Sequence, residues 1–250
     1  MKEVYIKSPA EIELMRQAGQ LLAKVFEMLD GFVKPGVTTM EINNRVEDFI
    51  TVDLAARPAS KGQYGYKYVL NSSVNEVVCH GVPSTRQKLK LKDIVNLDIT
   101  LEKSGFISDS SRMYVMPEAS AQARKLVETT YQAMWEGIKM VKPGARLGDV
   151  GHAIQTFAEN YGYSVVRDYC GHGIGKEMHE APQVLHYGSP DTGLVLEEGM
   201  TFTIEPMINQ GTSGIRTSKD GWNVVTRDKK LSAQYEHTIL VTADGYEVLT

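Results

Sequence analysis

A chain of 250 residues with 42% hydrophobic and 23% charged residues has ordinary soluble globular composition and enough apolar side chains for a full core. Its formal net charge of −4, with no cluster of four or more Lys or Arg, argues against a nucleic acid or an anionic membrane as the main partner. No apolar run approaches the ~18 residues of a spanning helix, and the charged start "MKEVYIKSPAEIELMRQAGQ" lacks the apolar centre of a signal peptide. The expectation is a cytoplasmic protein whose two cysteines, Cys79 and Cys170, stay reduced as small buried thiols, with metal ligation or nucleophilic chemistry as the rarer alternative.

Helical periodicity appears first over residues 9–30, with Pro9 at the helix start. A second helix follows "KPGVTT", with Ile42, Val46 and Phe49 on one face. Residues 64–115 then read as strands. The pattern returns with a long helix over 118–141, a "KPGARLGDV" stretch opening another helix with Val150, Ile154 and Phe157 in line, and strands over 163–250. Lys34, Pro35 and Gly36 match Lys142, Pro143 and Gly144 at an offset of 108 residues. This reads as an internal duplication: one domain, 1–250, of two pseudo-symmetric halves (about 1–117 and 118–250). Their strands would join in one sheet with four helices on one face and a cleft between the halves.

The stretch "VNLDITLEKSGFISDSS" reads as a hairpin with an aspartate near the middle of each strand. A turn centred on Lys103 and Ser104 sets Asp98 directly opposite Asp109, where like charges repel. Either the two share a proton, or a cation lies between them, or both are merely solvated at a sheet edge. Two more carboxylates lie inside apolar strand-like runs, Glu205 in "MTFTIEPMI" and Glu236 in "AQYEHTILV", with no Lys or Arg in either run to pair with them. "YCGHGIGKEMHEAP" adds His172 among glycines that would leave its imidazole exposed and let backbone approach a ligand closely. The spacing of His172 and His179 is not that of a zinc-binding helix, and "GIG" lacks the spacing of a phosphate loop. Asp98, Asp109, Glu205, Glu236 and His172 form an oxygen-rich set with one imidazole. That set suits two divalent ions such as manganese, iron(II), cobalt or zinc.

At these residues the sequence resembles the type I methionine aminopeptidases, of the pita-bread fold family. The matching text is "NEVVCHGVP", "VNLDIT" with "SDSSRM", "CGHGIG" with "HEAP", "GMTFTIEPM", "DGW" and "SAQYEHTI", spread over almost the whole chain. The resemblance implies an α+β, internally duplicated fold, a curved antiparallel sheet with two helix pairs on its outer face. It implies removal of the initiator methionine from nascent proteins and peptides, with a metal-bridged water or hydroxide attacking the first peptide bond. Asp98 would bind one ion through both oxygens, Asp109 and Glu236 would bridge the pair, and His172 and Glu205 would complete the other. The cofactors are thus two divalent ions: cobalt, manganese, iron(II), zinc or nickel.

By the same resemblance His179 donates to the peptide carbonyl or its oxyanion, His80 lies near the scissile amide, and Glu205 shuttles the proton of the attacking water. Tyr66, Trp222 and Met178 line the substrate pocket, while His152, His186 and His237 match no catalytic role. Ser60, Gln63, Asn71 and Met178 stand where many relatives carry cysteine, tyrosine, cysteine and phenylalanine, which changes pocket polarity and depth and leaves the metal chemistry alone. The implied partners are N-terminal methionyl peptides, met by a monomer in transient proximity to the ribosome. Two other readings differ: a proline-specific peptidase of the same fold, expected to carry a further N-terminal domain, and a non-catalytic binding module that has lost its metal.

Overall fold

The structure, a computed structural model, describes residues 3–250. Four helices are present: α1 Pro9–Asp30, α2 Thr39–Asp48, α3 Ala121–Ile138 and α4 Leu147–Asn160. The first two begin at capping boxes, Ser8 with Glu11 and Thr38 with Glu41, each satisfying two otherwise orphaned backbone N–H groups. Helix α3 is shorter than the expected span of 118–141 because Ser120 caps it, accepting from Ala123 N at 3.1 Å, and it ends before the second KPG turn. Ile42 and Val46 are fully buried on α2, while Phe49 falls just past it in a π-helical turn, Phe49–Asp53.

The strands of the first half are β1 Arg57–Pro58, β2 Leu70–Val74, β3 Val77–Cys79, β4 Ile94–Lys103 and β5 Phe106–Val115. Those that follow α4 are β6 Ser164–Val165, β7 Gly171–Gly173, β8 Glu180–Val184, β9 Thr201–Ile204 and β10 Met207–Asn209. Last come β11 Ile215–Thr217, β12 Val224–Thr226, β13 Ser232–Gln234, β14 His237–Val241 and β15 Tyr246–Val248. Every paired strand is antiparallel. In one sheet β4 lies between β2 and β5, and in another the order is β15-β14-β9-β7-β8. The two are joined where Ser111 and Glu236 exchange backbone hydrogen bonds (3.4 and 3.1 Å) and where Thr238 Oγ1 donates to Asp109 O at 2.8 Å.

Two large apolar clusters hold the helices against the strands. One gathers Leu22, Phe26 and Leu29 of α1 and Ile42 and Val46 of α2 over Leu70, Leu97 and Ile99. The other gathers Leu126 and Met134 of α3 and Val150 and Ile154 of α4 over Phe202, Ile204 and Ile239. The two KPG turns close alike: Gly36 N donates to Leu89 O and Gly144 N to Leu196 O, and both glycines have positive φ (96° and 83°).

The hairpin register corrects the sequence expectation. The turn is centred on Ser104 and Gly105, with φ of 55° and 82°, and Lys103 pairs with Phe106. A two-residue loop of this type needs positive φ at both central positions, which glycine supplies without steric cost and lysine does not. Asp98 therefore faces Ser111, and Asp109 faces Thr100. The two aspartates are diagonal neighbours on one face of the hairpin, still within reach of each other.

The glycines beside His172 also act differently from expectation. They admit neighbouring strands rather than a ligand: a Cβ on Gly173 would stand 1.9 Å from Ala181 O, and one on Gly171 would stand 2.3 Å from Thr203 O. Replacing Gly173 by Ala must push β7 and β8 apart, at a cost of about 1–3 kcal/mol by analogy with core overpacking. Thermal denaturation of Gly173→Ala checks this, with a clear fall in Tm expected; an unchanged Tm contradicts the close approach.

Candidate metal centre and substrate cavity

The seam between β5 and β14 is where the buried charge collects. Asp109 lies on β5, Glu236 immediately precedes β14, Asp98 sits on β4, His172 on β7, and Glu205 follows β9. Ligating atoms of Asp109, His172 and Glu236 all lie within 4.8 Å of one another. His172 Nε2 is 3.5 Å from Glu205 Oε1 and 3.9 Å from Asp109 Oδ2. All five expected ligands line one cavity of about 1480 Å3, together with His80, His179, Tyr66, Met178 and Trp222. Neither cysteine belongs to the cluster, and both thiols are free, with Cys79 buried and Cys170 partly so.

The electrostatics of this wall are one-sided. Among the described residues no Lys or Arg lines the cavity. Burial pushes Asp98 up to about 6 and Glu205 up to about 8. Burial and then the neighbouring carboxylates hold Asp109 and Glu236 well above the usual carboxylate range. Asp109 Oδ1 is buried and has no hydrogen-bond partner. An orphaned carboxylate oxygen beside two more carboxylates and an imidazole that burial keeps neutral, its pKa lowered to about 4, fits a divalent cation.

Around these groups lies a set of supports. Thr203 Oγ1 accepts from His172 N at 3.0 Å and donates to Glu205 Oε1 at 2.7 Å. Gln234 Nε2 donates to Glu205 Oε2 at 3.3 Å, and Glu205 N donates to His186 Nε2 at 3.1 Å. His186, given no role from the sequence, thus satisfies the N–H freed where the chain leaves β9 ahead of Pro206. Thr203 and Gln234 were also missed. The available signal was position, since each lies two residues before an expected carboxylate ligand in the same extended run.

His80 follows β3 with φ of 55°, an unusual conformation for a non-glycine residue and one that occurs at functional sites. It stacks edge-on against Tyr169 at 5.4 Å. His179 sits at the cavity mouth, 4.5 Å from the His172 ring, on the segment linking β7 to β8. That segment is braced by Glu180, which accepts from Glu177 N at 3.2 Å and pairs at 2.5 Å with the buried Lys7. Tyr66 packs on Trp222 at 4.8 Å and spends its hydroxyl on Leu70 O, so it presents an apolar face. The four departures all line the cavity. Ser60 Oγ is bonded to Thr100 Oγ1 at 2.5 Å, and Asn71 Nδ2 donates to Asp98 Oδ2 at 3.4 Å.

The profile of metallopeptidase family M24 matches residues 13–243. The chain belongs to that family. The methionine aminopeptidase of Escherichia coli strain K12 is 51% identical over 247 residues, covering 99% of this chain and 94% of the relative. The crystal structure of methionine aminopeptidase from Rickettsia prowazekii aligns with a TM-score of 0.97 at 48% identity, covering 99% of this chain and all (100%) of that one. An Xaa-Pro dipeptidase from Bacillus anthracis aligns with a TM-score of 0.76 at 27% identity, covering 98% of this chain and 61% of that one. These similarities place the chain among the methionine aminopeptidases of the family, with their pita-bread fold. Membership in a metallopeptidase family brings with it the use of a divalent metal.

The buried carboxylates fix a pH dependence for the metal-stripped protein. In the unfolded chain carboxylates ionise near pH 4 and histidines near 6.5, roughly. Histidines with depressed values, such as His172 and His186, stabilise the fold above that point and cost stability as pH falls through it. The raised carboxylates act oppositely: the folded state keeps their protons, and stability is lost as pH rises. Between about pH 6.5 and 8 only the carboxylates contribute, so stability falls by about 1.4 kcal/mol per pH unit for each retained proton. Urea denaturation of the metal-stripped protein across this window is expected to show that slope, and saturating manganese to flatten it. A flat metal-free profile contradicts the assignment of buried, protonated carboxylates.

Proposed function

We propose that the protein removes the N-terminal methionine from nascent chains and peptides. The observation that carries this is the convergence of three buried carboxylates, a fourth that is partly buried (Asp98) and one imidazole, with Asp109 Oδ1 unpartnered, beside an aromatic pocket, in a chain 51% identical to a named methionine aminopeptidase. Asp98, Asp109, His172, Glu205 and Glu236 would hold two divalent ions, with cobalt, manganese, iron(II), zinc and nickel as the candidates. When bound, such ions supply Lewis-acid polarisation and neutralise the carboxylates.

The chain's own residues do the rest. Tyr66, Trp222 and Met178 surround the methionine side chain, where sulfur against aromatic edges gives about 0.3–1.5 kcal/mol per contact. Glu205 takes the proton of the attacking water and returns it to the leaving amine. His179, at the mouth, donates to the oxygen of the tetrahedral intermediate, and His80 meets the scissile amide. Ser60 shares a hydroxyl–hydroxyl hydrogen bond with Thr100, and Asn71 donates to Asp98, so both polar groups have partners in the wall, which supports a less polar pocket toward substrate.

We read the chain as one catalytic domain of two pseudo-symmetric halves, about 1–117 and 118–250, a reading supported by the two matching KPG turns. We further read it as a cytoplasmic monomer acting close to the ribosome. Free cysteines, and the absence among the described residues of any helix long and apolar enough to cross a membrane, are consistent with that setting.

Metal-stripped protein is expected to release no methionine from Met-Ala-Ser, and to do so once manganese, iron(II) or cobalt is restored anaerobically. Activity on X-Pro peptides in place of Met-Ala-Ser would instead favour the dipeptidase reading, and metal-independent hydrolysis would refute the mechanism. Asp109→Ala should remain folded and inactive. His179→Ala should lower kcat by about 10²–10³, the usual scale for losing one oxyanion donor; an unchanged kcat removes His179 from that role.

A further inference from the structure

Strand β7 is bulged against β8 between His172 and Gly173, and against β9 it is in register only at Gly173 and Phe202, so the His172 N–H has no backbone partner on β9. The Thr203 hydroxyl takes that N–H instead. It is fully buried and lies 3.0 Å from His172 N and 2.7 Å from Glu205 Oε1. Gly171 makes this approach possible, because a Cβ there would stand 3.2 Å from the hydroxyl oxygen and closer still to the Thr203 carbonyl.

With Glu205 as a carboxylate, its state as a metal ligand, proton counting fixes the direction of both bonds. An N–H can only donate, so Thr203 Oγ1 accepts from His172, and its single hydrogen is left for Glu205 Oε1. That oxygen is the one 3.5 Å from His172 Nε2, while the other is taken by Gln234. One hydroxyl therefore ties the backbone of one ligand to the carboxylate of the other.

We propose that Thr203 is a positioning residue that sets the separation and orientation of His172 and Glu205 as a pair, and so governs one of the two ion sites. This rests on the metallopeptidase reading above. Asp98, on β4, has no contact with the Thr203 hydroxyl, so the effect is confined to the His172 and Glu205 site. Outer partners of this kind are worth about 10- to 100-fold in metal affinity.

The test compares wild type, Thr203→Val and Thr203→Ser as metal-stripped full-length proteins. Calorimetric titration with cobalt(II) under nitrogen reads each site, and visible absorption of the bound cobalt reads ligand geometry. Thr203→Val keeps the shape and removes both bonds: one of two cobalt(II) ions is expected to bind about 10- to 100-fold more weakly with an altered spectrum. At saturating cobalt(II), kcat on Met-Ala-Ser should fall while KM holds. Thr203→Ser keeps the hydroxyl and should restore affinity, spectrum and kcat. Thr203→Ala carries the same readouts if the valine variant does not fold. Wild-type cobalt(II) affinity and spectrum in the valine or alanine variant overturn the proposal, as does a serine variant as impaired as the valine one, which would make the role one of packing. Wild-type protein that binds no cobalt(II) overturns the parent reading along with it.

Discussion

Uncompensated negative charge in the interior is the constraint around which this molecule is arranged. Asp109, Glu205 and Glu236 are buried and Asp98 is partly so, and no cationic side chain lines their cavity among the described residues. An ion-pair partner would remove the cost and the function with it. The fold instead offers neutral donors, such as Asn71 to Asp98, and Thr203 and Gln234 to Glu205, which orient oxygens without cancelling their charge. The remaining imbalance is left for protons or for cations. The fold is thus built to hold the carboxylates at a cost that bound metal repays.

The scaffold concentrates that cost at one seam. Ser111 and Glu236 exchange backbone bonds, Ser110 Oγ donates to Glu236 O, and Thr238 donates to Asp109 O. Two of the carboxylates proposed as ligands thus ride on backbone locked from both sides, with apolar clusters pressing the helices against the strands behind. Rigid elements of this kind place side chains more closely than loops do. The mouth is built otherwise: His179 and Met178 lie on a short segment held by the Lys7 and Glu180 pair.

Much of this was legible in residue order, for reasons specific to each element. Pro9 and the KPGVTT stretch announced helix starts, because such signals act through local backbone geometry. Carboxylates inside the runs "TFTIEPM" and "AQYEHTI" announced burial, since their neighbours are the residues that strands hide. The hairpin register was not legible: Lys103-Ser104 and Ser104-Gly105 both read as turns, and the choice depends on which pair takes positive φ. The glycines around His172 were read as room for a ligand, yet their neighbours are Ala181 and Thr203, whose approach is set by distant pairing. His186 was given no role because its partner, Glu205, lies far from it in sequence, and a hydrogen bond of that span leaves no local trace.

The seam also has a consequence for when the centre comes into being. Asp98 and Asp109 belong to a local hairpin, whereas His172, Glu205 and Glu236 arrive from the last third of the chain. During synthesis the hairpin can form early, with two diagonal aspartates and no imidazole between them. Closure waits for the strand carrying Glu236 to reach Ser111, a contact of large sequence separation and therefore slow to form. Assembly of the cluster reports that the segment carrying Glu236 has emerged and docked, so the centre is among the last parts of these 250 residues to form.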